Sequence, residues 1–459
     1  MKLSINNFKA IRELNGYNFN SINIISGVNS SGKTSFIQFL LMLKQTLEAQ
    51  SANPALIFEG NWVKLGNYDT LVYKKDISKS IGFELQFDQK DIQEIFQPIY
   101  GIEEISVKVN YAQMDNKCVL SNIVITYNTP QMQRKNHSIN FVKENNTYKV
   151  DISKHTALFG DFSELLENRG TLSGISFFPT TFFTEINNPD SSIDGTPTKR
   201  IAIEVKTKEI QDVINEIFSN ISYIGPLREE PKDLYSSNGK GKYIGCKGEY
   251  AAQFFEEEAN NTVEFYDIQN NKLQQMALSE AVKYWICDVF KLVKNIKTEK
   301  YKDSYVVKVI NHYDVESTIR QVGFGISQVL PIVVEGLRMD KNGILILEQP
   351  EIHLHPKVQS ALFDFIYSLS LTGRKFVIET HSDHFITRMR RRVAESNDRL
   401  EEKINLVFVE EKEMEHSFRK LDLDDMGTFD YFPNDFVEQT EDYGAIIMAQ
   451  ANKAKTKES

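Results

Sequence analysis

The sequence predicts an α/β fold, a mixed sheet with flanking helices that also carries a strand-rich insertion and a helical lobe. Three observations predict it. A short apolar run, Ser21–Ser26, enters a glycine-rich loop that opens a helix with Phe36, Phe39, Leu40, Leu43 and Leu47 at helical spacing. Two later aliphatic runs, one ending at Glu348 and the other at His381, read as buried parallel strands. Between these ends lies a long stretch rich in Thr, Val, Ile, Tyr, Phe and Asn.

Taken in order, residues 1–26 read as two strands, Leu3–Phe8 and Tyr17–Ile25, with Asn15-Gly16 as the turn between them. The loop that follows is Gly27-Val28-Asn29-Ser30-Ser31-Gly32-Lys33-Thr34, which fills every fixed position of G-x-x-x-x-G-K-[ST]. Strand, glycine loop and helix aim successive backbone N–H groups and the positive end of the helix dipole at one point. A triphosphate is the natural occupant, expected here as ATP with Mg²⁺. Gly27, Asn29, Ser30, Ser31 and Gly32 form the cradle, and Lys33 contacts the β and γ phosphates. The Thr34 hydroxyl holds Mg²⁺, with Ser35 less directly placed.

Next, Ile81–Phe87 alternates as a half-buried strand should. Short strands are expected at Ile105–Tyr111, Val119–Tyr127 and Tyr148–Ile152, and a loop at Ile186–Pro197. From Ile221 the pattern changes: Tyr223–Arg228 is a strand ending in a turn, helices follow around Glu249–Glu258 and Leu278–Val293, and a strand spans Ser304–Asn311. Gly323-Phe324-Gly325-Ile326-Ser327-Gln328 then enters an apolar helix, with Pro331 placed in its first turn. Free N–H groups at such a helix start suit a phosphate, here that of a second protomer.

Ile344-Leu345-Ile346-Leu347-Glu348 delivers a carboxylate to the C-terminal edge of a parallel sheet, where such sheets bind ligands. There Glu348 supports Mg²⁺ opposite Thr34. The position after it, where a glutamate normally orients or deprotonates the attacking water, holds Gln349. A carboxamide holds water but accepts no proton, so general-base help is lost, with Glu351 the nearest replacement. His381, at the end of the next buried strand, is placed to contact the γ-phosphate. His353 and His355 lie near His381 and His384 in sequence order, which raises metal ligation as a minor alternative.

At 459 residues, 41% hydrophobic and 25% charged, the chain is ordinary for a soluble protein of one large or two smaller domains. It shows no membrane-spanning apolar stretch and no secretory signal, and three scattered cysteines suit a reduced, cytoplasmic protein. The net charge of −10 confines any nucleic-acid contact to a local basic patch, of which Arg388–Arg392 is the densest. A solvated basic helix end is the plainer reading of that run.

The phosphate loop, Gly-Phe-Gly-Ile-Ser-Gln, Leu-Glu-Gln-Pro-Glu-Ile-His-Leu-His-Pro and Glu-Thr-His-Ser occur in this order. With them the chain resembles the ABC-type ATPases of the structural-maintenance-of-chromosomes and recombination-repair group. It is most similar to the short bacterial branch related to overcoming-lysogenization-defect proteins, found in anti-phage defence operons. Tyr223–Arg228 and the tail Asp424–Gly427 and Phe432–Phe436 share in the likeness, which covers roughly residues 1–90 and 221–440.

The resemblance implies a composite site in which two heads face each other, each ATP lying between the phosphate loop of one and the signature loop of the other. By position Gly323–Gln328 is the signature, with Gly323, Gly325, Ser327 and Gln328 toward the nucleotide. Glu348 is the acid, Gln349 takes the catalytic-glutamate place, and His381 is the switch histidine. The usual Leu-Ser-Gly-Gly is replaced, and either Gly323 or Ser327 takes the serine's role.

The implied organisation is an ATPase head over 1–90 and 331–459, the strand-rich insertion over 91–220 and the helical lobe over 221–330. Nuclease relatives add a cleavage domain, whereas fewer than about eighty residues follow His381, which is short for one. The expectation is therefore an ATPase without its own effector. It forms a homodimer or higher oligomer around ATP, hydrolyses it slowly, and regulates a separate nuclease or toxin. A repair-type ATPase that clamps DNA, and a scaffold that never turns over its nucleotide, are the alternatives.

Overall fold

A computed structural model describes residues 1–28, 31–49, 55–89, 91, 103–128, 136–152, 169–187, 198–205, 207–237, 239, 241–396, 399–412 and 415–431. Asn29, Ser30, most of the Ile186–Pro197 loop and the Phe432–Phe436 part of the tail lie outside them. The chain forms two compact units, Met1–Phe19 with Thr34–Ile221, and Asn20–Lys33 with Ser222–Ser459. Among the described residues no helix is long and apolar enough to cross a membrane.

The strands are numbered along the chain. β1 (Lys2–Phe8) and β2 (Ile11–Asn18) belong to the first unit, and β3 (Ile22–Gly27) to the second. Helix α1 (Lys33–Glu48) follows, then a single helical turn α2 (Tyr68–Leu71). The first unit continues with β4 (Ile81–Asp88), β5 (Glu104–Met114), β6 (Lys117–Asn128) and β7 (Asn136–Glu144). It closes with β8 (Thr147–Ile152), β9 (Arg169–Ile175), β10 (Phe178–Asn187), β11 (Thr198–Glu204) and helix α3 (Lys208–Ser219).

All ten strands of this unit form one sheet, ordered β11-β10-β9-β8-β7-β6-β5-β4-β1-β2. Its strand pairs are antiparallel, so the strand-rich stretch continues the sheet begun by β1, β2 and β4. Helix α1 buries Phe36, Phe39, Leu40, Leu43 and Leu47, the stripe its spacing predicts. Phe39 meets Phe8 and Phe83 edge-on at 5.1 and 5.7 Å, and Phe83 meets Phe177 at 5.3 Å. Such ring pairs add about 0.5–1.5 kcal/mol each beyond the area they bury.

Asn15-Gly16 is not the turn that joins two strands. The pairing Leu3↔Tyr17 is followed by Ile5↔Leu14, so one extra residue sits in β2, and Gly16 takes φ +58° there. The pair forms a bulge inside the hairpin, and Lys9-Ala10 makes the turn. An Asn-Gly pair supplies left-handed backbone for either feature, which is why the sequence alone misplaces it.

The second unit adds β12 (Ile221–Ile224), β13 (Tyr235–Ser236), α4 (Ala251–Glu257), β14 (Thr262–Asp267) and β15 (Lys272–Ala277). Helix α5 (Leu278–Lys283) passes into a π-helical turn over Tyr284–Val289, so the stretch expected as one helix changes its winding midway. β16 (Asn295–Tyr301), β17 (Ser304–Ile310) and β18 (Glu316–Thr318) form a small antiparallel sheet with β13.

Next come α6 (Phe324–Arg338), β19 (Ile344–Glu348), α7 (Pro356–Ser370), β20 (Lys375–Glu379) and α8 (Asp383–Glu395). The turn α9 (Leu400–Lys403) and the hairpin β21 (Ile404–Lys412) and β22 (Glu415–Leu421) complete the unit. Its main sheet runs β12-β19-β20-β3-β21-β22, with β19, β20, β3 and β21 mutually parallel. α6 and α7 contribute Val329, Leu330, Val333, Leu362, Phe363 and Phe365 to the core around this sheet.

Pro331 lies in the interior of α6 rather than its first turn, because the helix already starts at Phe324. Its ring packs at Gly248, whose φ is +71° and where an added Cβ would fall 2.3 Å from the Pro331 Cβ. Tertiary packing outweighs the local cost of proline here.

Candidate nucleotide-binding site

Three parallel strands bring distant sequence to one edge of the second unit's sheet. β3 ends in the glycine loop, β20 in Glu379-Thr380-His381, and β19 in Glu348-Gln349. β20 lies between the other two. Each strand is buried through its aliphatic run, so only the polar residues at its end reach this edge.

At the loop, Gly27 has φ +146°, and a Cβ there would lie 2.4 Å from the Val409 carbonyl oxygen of β21. Gly32 follows with φ +90°. Among the described residues the buried Ser31 hydroxyl has no hydrogen-bond partner. Lys33 is only 3% exposed, and its ammonium folds back to donate to the carbonyls of Gly27, at 3.0 Å, and Val28. Burial pulls the Lys33 pKa down while the Glu379 carboxylate pulls it up. Helix α1 has no acid in its first turn to compete with an anion. A cradle that excludes a Cβ, an unpartnered hydroxyl and a lysine held on loop carbonyls all fit a phosphate chain. Thr34 and the buried Ser35 follow in the first turn of α1, Thr34 opening the other unit.

Glu348 is 6% exposed and accepts a hydrogen bond from the Tyr223 hydroxyl at 3.0 Å. Glu379, 3% exposed, is its register neighbour across the parallel pair. Burial, then the Glu379 charge, pushes the Glu348 pKa up to about 7, while the Tyr223 hydrogen bond and the Arg228 charge oppose the rise. Two buried carboxylates side by side suit a divalent cation, whose charge relieves their repulsion and draws electron density from a bound phosphate.

Gln349 has left-handed backbone, φ +42°. Its N–H donates to the Glu379 carbonyl at 2.8 Å, and its carbonyl accepts from the Arg228 guanidinium at 3.0 Å. Arg228 also donates to the Glu348 carbonyl at 3.1 Å. The Glu351 carboxylate accepts the backbone N–H of His381 at 2.7 Å, so it is engaged in holding the histidine loop. The pKa of His381 is lowered by burial and by the Lys33 charge.

At the start of α6, Gly323 and Phe324 are exposed, and nothing lies within 4 Å of where a Gly323 Cβ would sit. Ser327 and Gln328 are buried, the Ser327 hydroxyl donating to the Phe324 carbonyl at 2.8 Å. Only the Gly323–Gly325 part of this loop therefore presents itself at the surface. Among the described residues no group of three or more His, Cys, Asp or Glu is placed to hold a metal, the four histidines included.

The basic run is largely bound within the chain. Arg388 and Arg392 both pair with Asp364, at 2.6 and 2.7 Å, and Arg391 and Arg392 pair with Glu395. Arg390 donates to the Gly427 carbonyl at 2.7 Å.

Against known proteins, a family model described as an AAA ATPase domain matches residues 1–386. The chain belongs to that family. The family is one of ATPases, so nucleotide, usually with Mg²⁺, is what its members' sites take. Among solved structures the chain is similar to the SMC head domain from Thermotoga maritima, at 12% identity over 91% of this chain and 97% of that one, with a TM-score of 0.36. It is similar as well to an SmcHead bound to the C-winged helix domain of ScpA, at 10% identity over 92% and 98%, TM-score 0.37. A third is an Smc head domain with an extended coiled coil bound to the C-terminal domain of ScpA from Pyrococcus furiosus, at 9% identity over 92% and 96%, TM-score 0.34. No curated protein matches the sequence.

Sequence reading did not identify Tyr223, Arg228 or Glu379 as site residues. For Glu379 the signal was present: an acid closing the buried run Phe376-Val377-Ile378, the logic that singled out Glu348. For Tyr223 and Arg228 the family likeness marked the stretch but not the role of its side chains, since a distant partner leaves no period in the sequence.

Proposed function

We propose that the protein is an ABC-type ATPase that pairs around ATP and Mg²⁺, hydrolyses ATP slowly, and controls a separately encoded nuclease or toxin in bacterial anti-phage defence. The observation that carries this reading is Gln349, held beside Glu348 at the edge shared with the phosphate loop. A carboxamide there keeps a water in place without taking its proton, which favours a long-lived ATP-bound state over rapid turnover. In this reading Lys33 and the loop bind the phosphates, Thr34 and Glu348 support Mg²⁺, His381 senses the γ-phosphate, and Gly323–Gly325 meets the nucleotide of the other protomer.

The Arg388–Arg392 run, already paired with Asp364 and Glu395, favours this gate over a DNA clamp. Partner recognition falls to the sheet of β4–β11, which carries none of the nucleotide motifs. Mass measurement with and without ATP and Mg²⁺ tests the pairing. A nucleotide-dependent dimer, absent for Lys33→Ala, supports the proposal, and a mass indifferent to nucleotide overturns it.

A further inference from the structure

We propose that Arg228 and Tyr223 are positioning residues, which hold the Glu348–Gln349 turn in the geometry that nucleotide turnover requires. The inference rests on the function proposed above and names who sets the geometry of that site.

The Arg228 side chain is buried, and its hydrogen bonds go to the main-chain carbonyls of Pro226, Glu348 and Gln349. Burying a guanidinium is costly, and pairing it with carbonyls instead of a carboxylate recovers less of that cost. What the arrangement achieves is to fix two consecutive carbonyls at the end of the acid strand. Left-handed backbone at a residue with a side chain persists only where its surroundings over-determine it. At Gln349 the surroundings are Arg228, at 3.0 Å, and the Ile352 N–H, at 3.3 Å, on its carbonyl and the Glu379 carbonyl on its N–H. Removing Arg228 frees the Glu348 carbonyl of its guanidinium and leaves the Gln349 carbonyl to the longer Ile352 bond.

Tyr223 acts on the side chain of the preceding residue. Its hydroxyl has one proton to give, and Glu348 receives it. That bond turns the carboxylate and occupies one of its oxygens, as the outer partners of metal ligands commonly do. Tyr223 and Arg228 arrive on one short stretch that bends at Pro226-Leu227. A Cβ at Gly225 would fall 2.9 Å from the Tyr223 hydroxyl oxygen, and the Gly225 N–H is tied to the Cys246 carbonyl at 2.7 Å. The glycine keeps the hydroxyl's place open, so the stretch works as one strap across the end of β19.

The test compares the parent, Tyr223→Phe, Arg228→Lys, Arg228→Ala and Lys33→Ala. It measures Tm, binding of a fluorescent ATP analogue in EDTA and across a Mg²⁺ titration, and the kcat and KM of ATP hydrolysis. Tyr223→Phe and Arg228→Lys are expected to keep the parent's Tm and its binding in EDTA. Tyr223→Phe should raise the Mg²⁺ needed for half-maximal binding, and both should lower kcat by about 10- to 100-fold with little change in KM. Parent-like Mg²⁺ dependence and kcat in both conservative variants would overturn the inference. So would losses in every readout that follow the fall in Tm, which mark a merely structural strap. If the parent does not bind the analogue, or Lys33→Ala binds it equally well, the nucleotide reading itself fails and the inference with it.

Discussion

The Glu351 carboxylate accepts the backbone N–H of His381 at 2.7 Å, joining the turn after the acid strand to the histidine loop. Glu351 is the nearest acid after Gln349 to replace a missing base, and this bond commits it to the neighbouring strand's end. A hydrogen bond to a charged group contributes about 1.5–3 kcal/mol. Glu351→Ala should therefore lower stability by about 1–3 kcal/mol in a urea melt and loosen His381. Glu351→Gln retains an acceptor and should fall between Ala and the parent. If Glu351→Gln kept full stability yet abolished turnover, Glu351 would be the base.

Gly27 offers a test of the loop's shape. Its backbone is left-handed, and a Cβ would press on the Val409 carbonyl. Gly27→Ala should lose ATP binding and, from backbone strain alone, about 1–3 kcal/mol of stability. Calorimetric titration with ATP and a thermal melt read the two effects, and undiminished binding would mean that the loop takes another shape.

The arginine run gives a third prediction, about DNA. Arg388 and Arg392 share the mostly buried Asp364, a stronger arrangement than an exposed pair. Asp364→Ala should destabilise the protein by about 1–3 kcal/mol, since two guanidinium groups lose their partner. The parent should show no salt-sensitive DNA binding through these residues. A low-salt gel shift that Arg388→Ala removes would favour the clamp instead.

Phe324 is 58% exposed at the start of α6, between Gly323 and Gly325. Replacing so exposed a residue should change stability by less than about 0.5 kcal/mol. Phe324→Ala should nevertheless weaken ATP-dependent pairing, read by sedimentation, if this loop meets a second protomer.

The strands that end at the candidate site were legible because buried parallel strands announce themselves as unbroken aliphatic runs. Ile344–Leu347 and Phe376–Ile378 are such runs, and the residue closing each run lies where the sheet edge should be. The phosphate loop is legible for a second reason, that its glycines are demanded by backbone geometry, as Gly27 is. What stayed hidden depends on tertiary partners. Asn15-Gly16 reads the same as turn or bulge until the register with β1 is known. Pro331 looks like a helix start until the packing at Gly248 is seen. Nothing local in Tyr223–Arg228 says that its side chains end on Glu348 and Gln349, more than a hundred residues later.

The most direct test of the account is ATP turnover by the purified protein with Mg²⁺, measured beside Lys33→Ala and Gln349→Glu. The account predicts a parent that binds ATP and turns it over slowly, and a Gln349→Glu form faster by about 100-fold or more, the scale of a restored general base. Lys33→Ala should do neither. Brisk turnover by the parent, abolished by Lys33→Ala and unchanged by Gln349→Glu, would contradict it, because another group would then be accepting the proton.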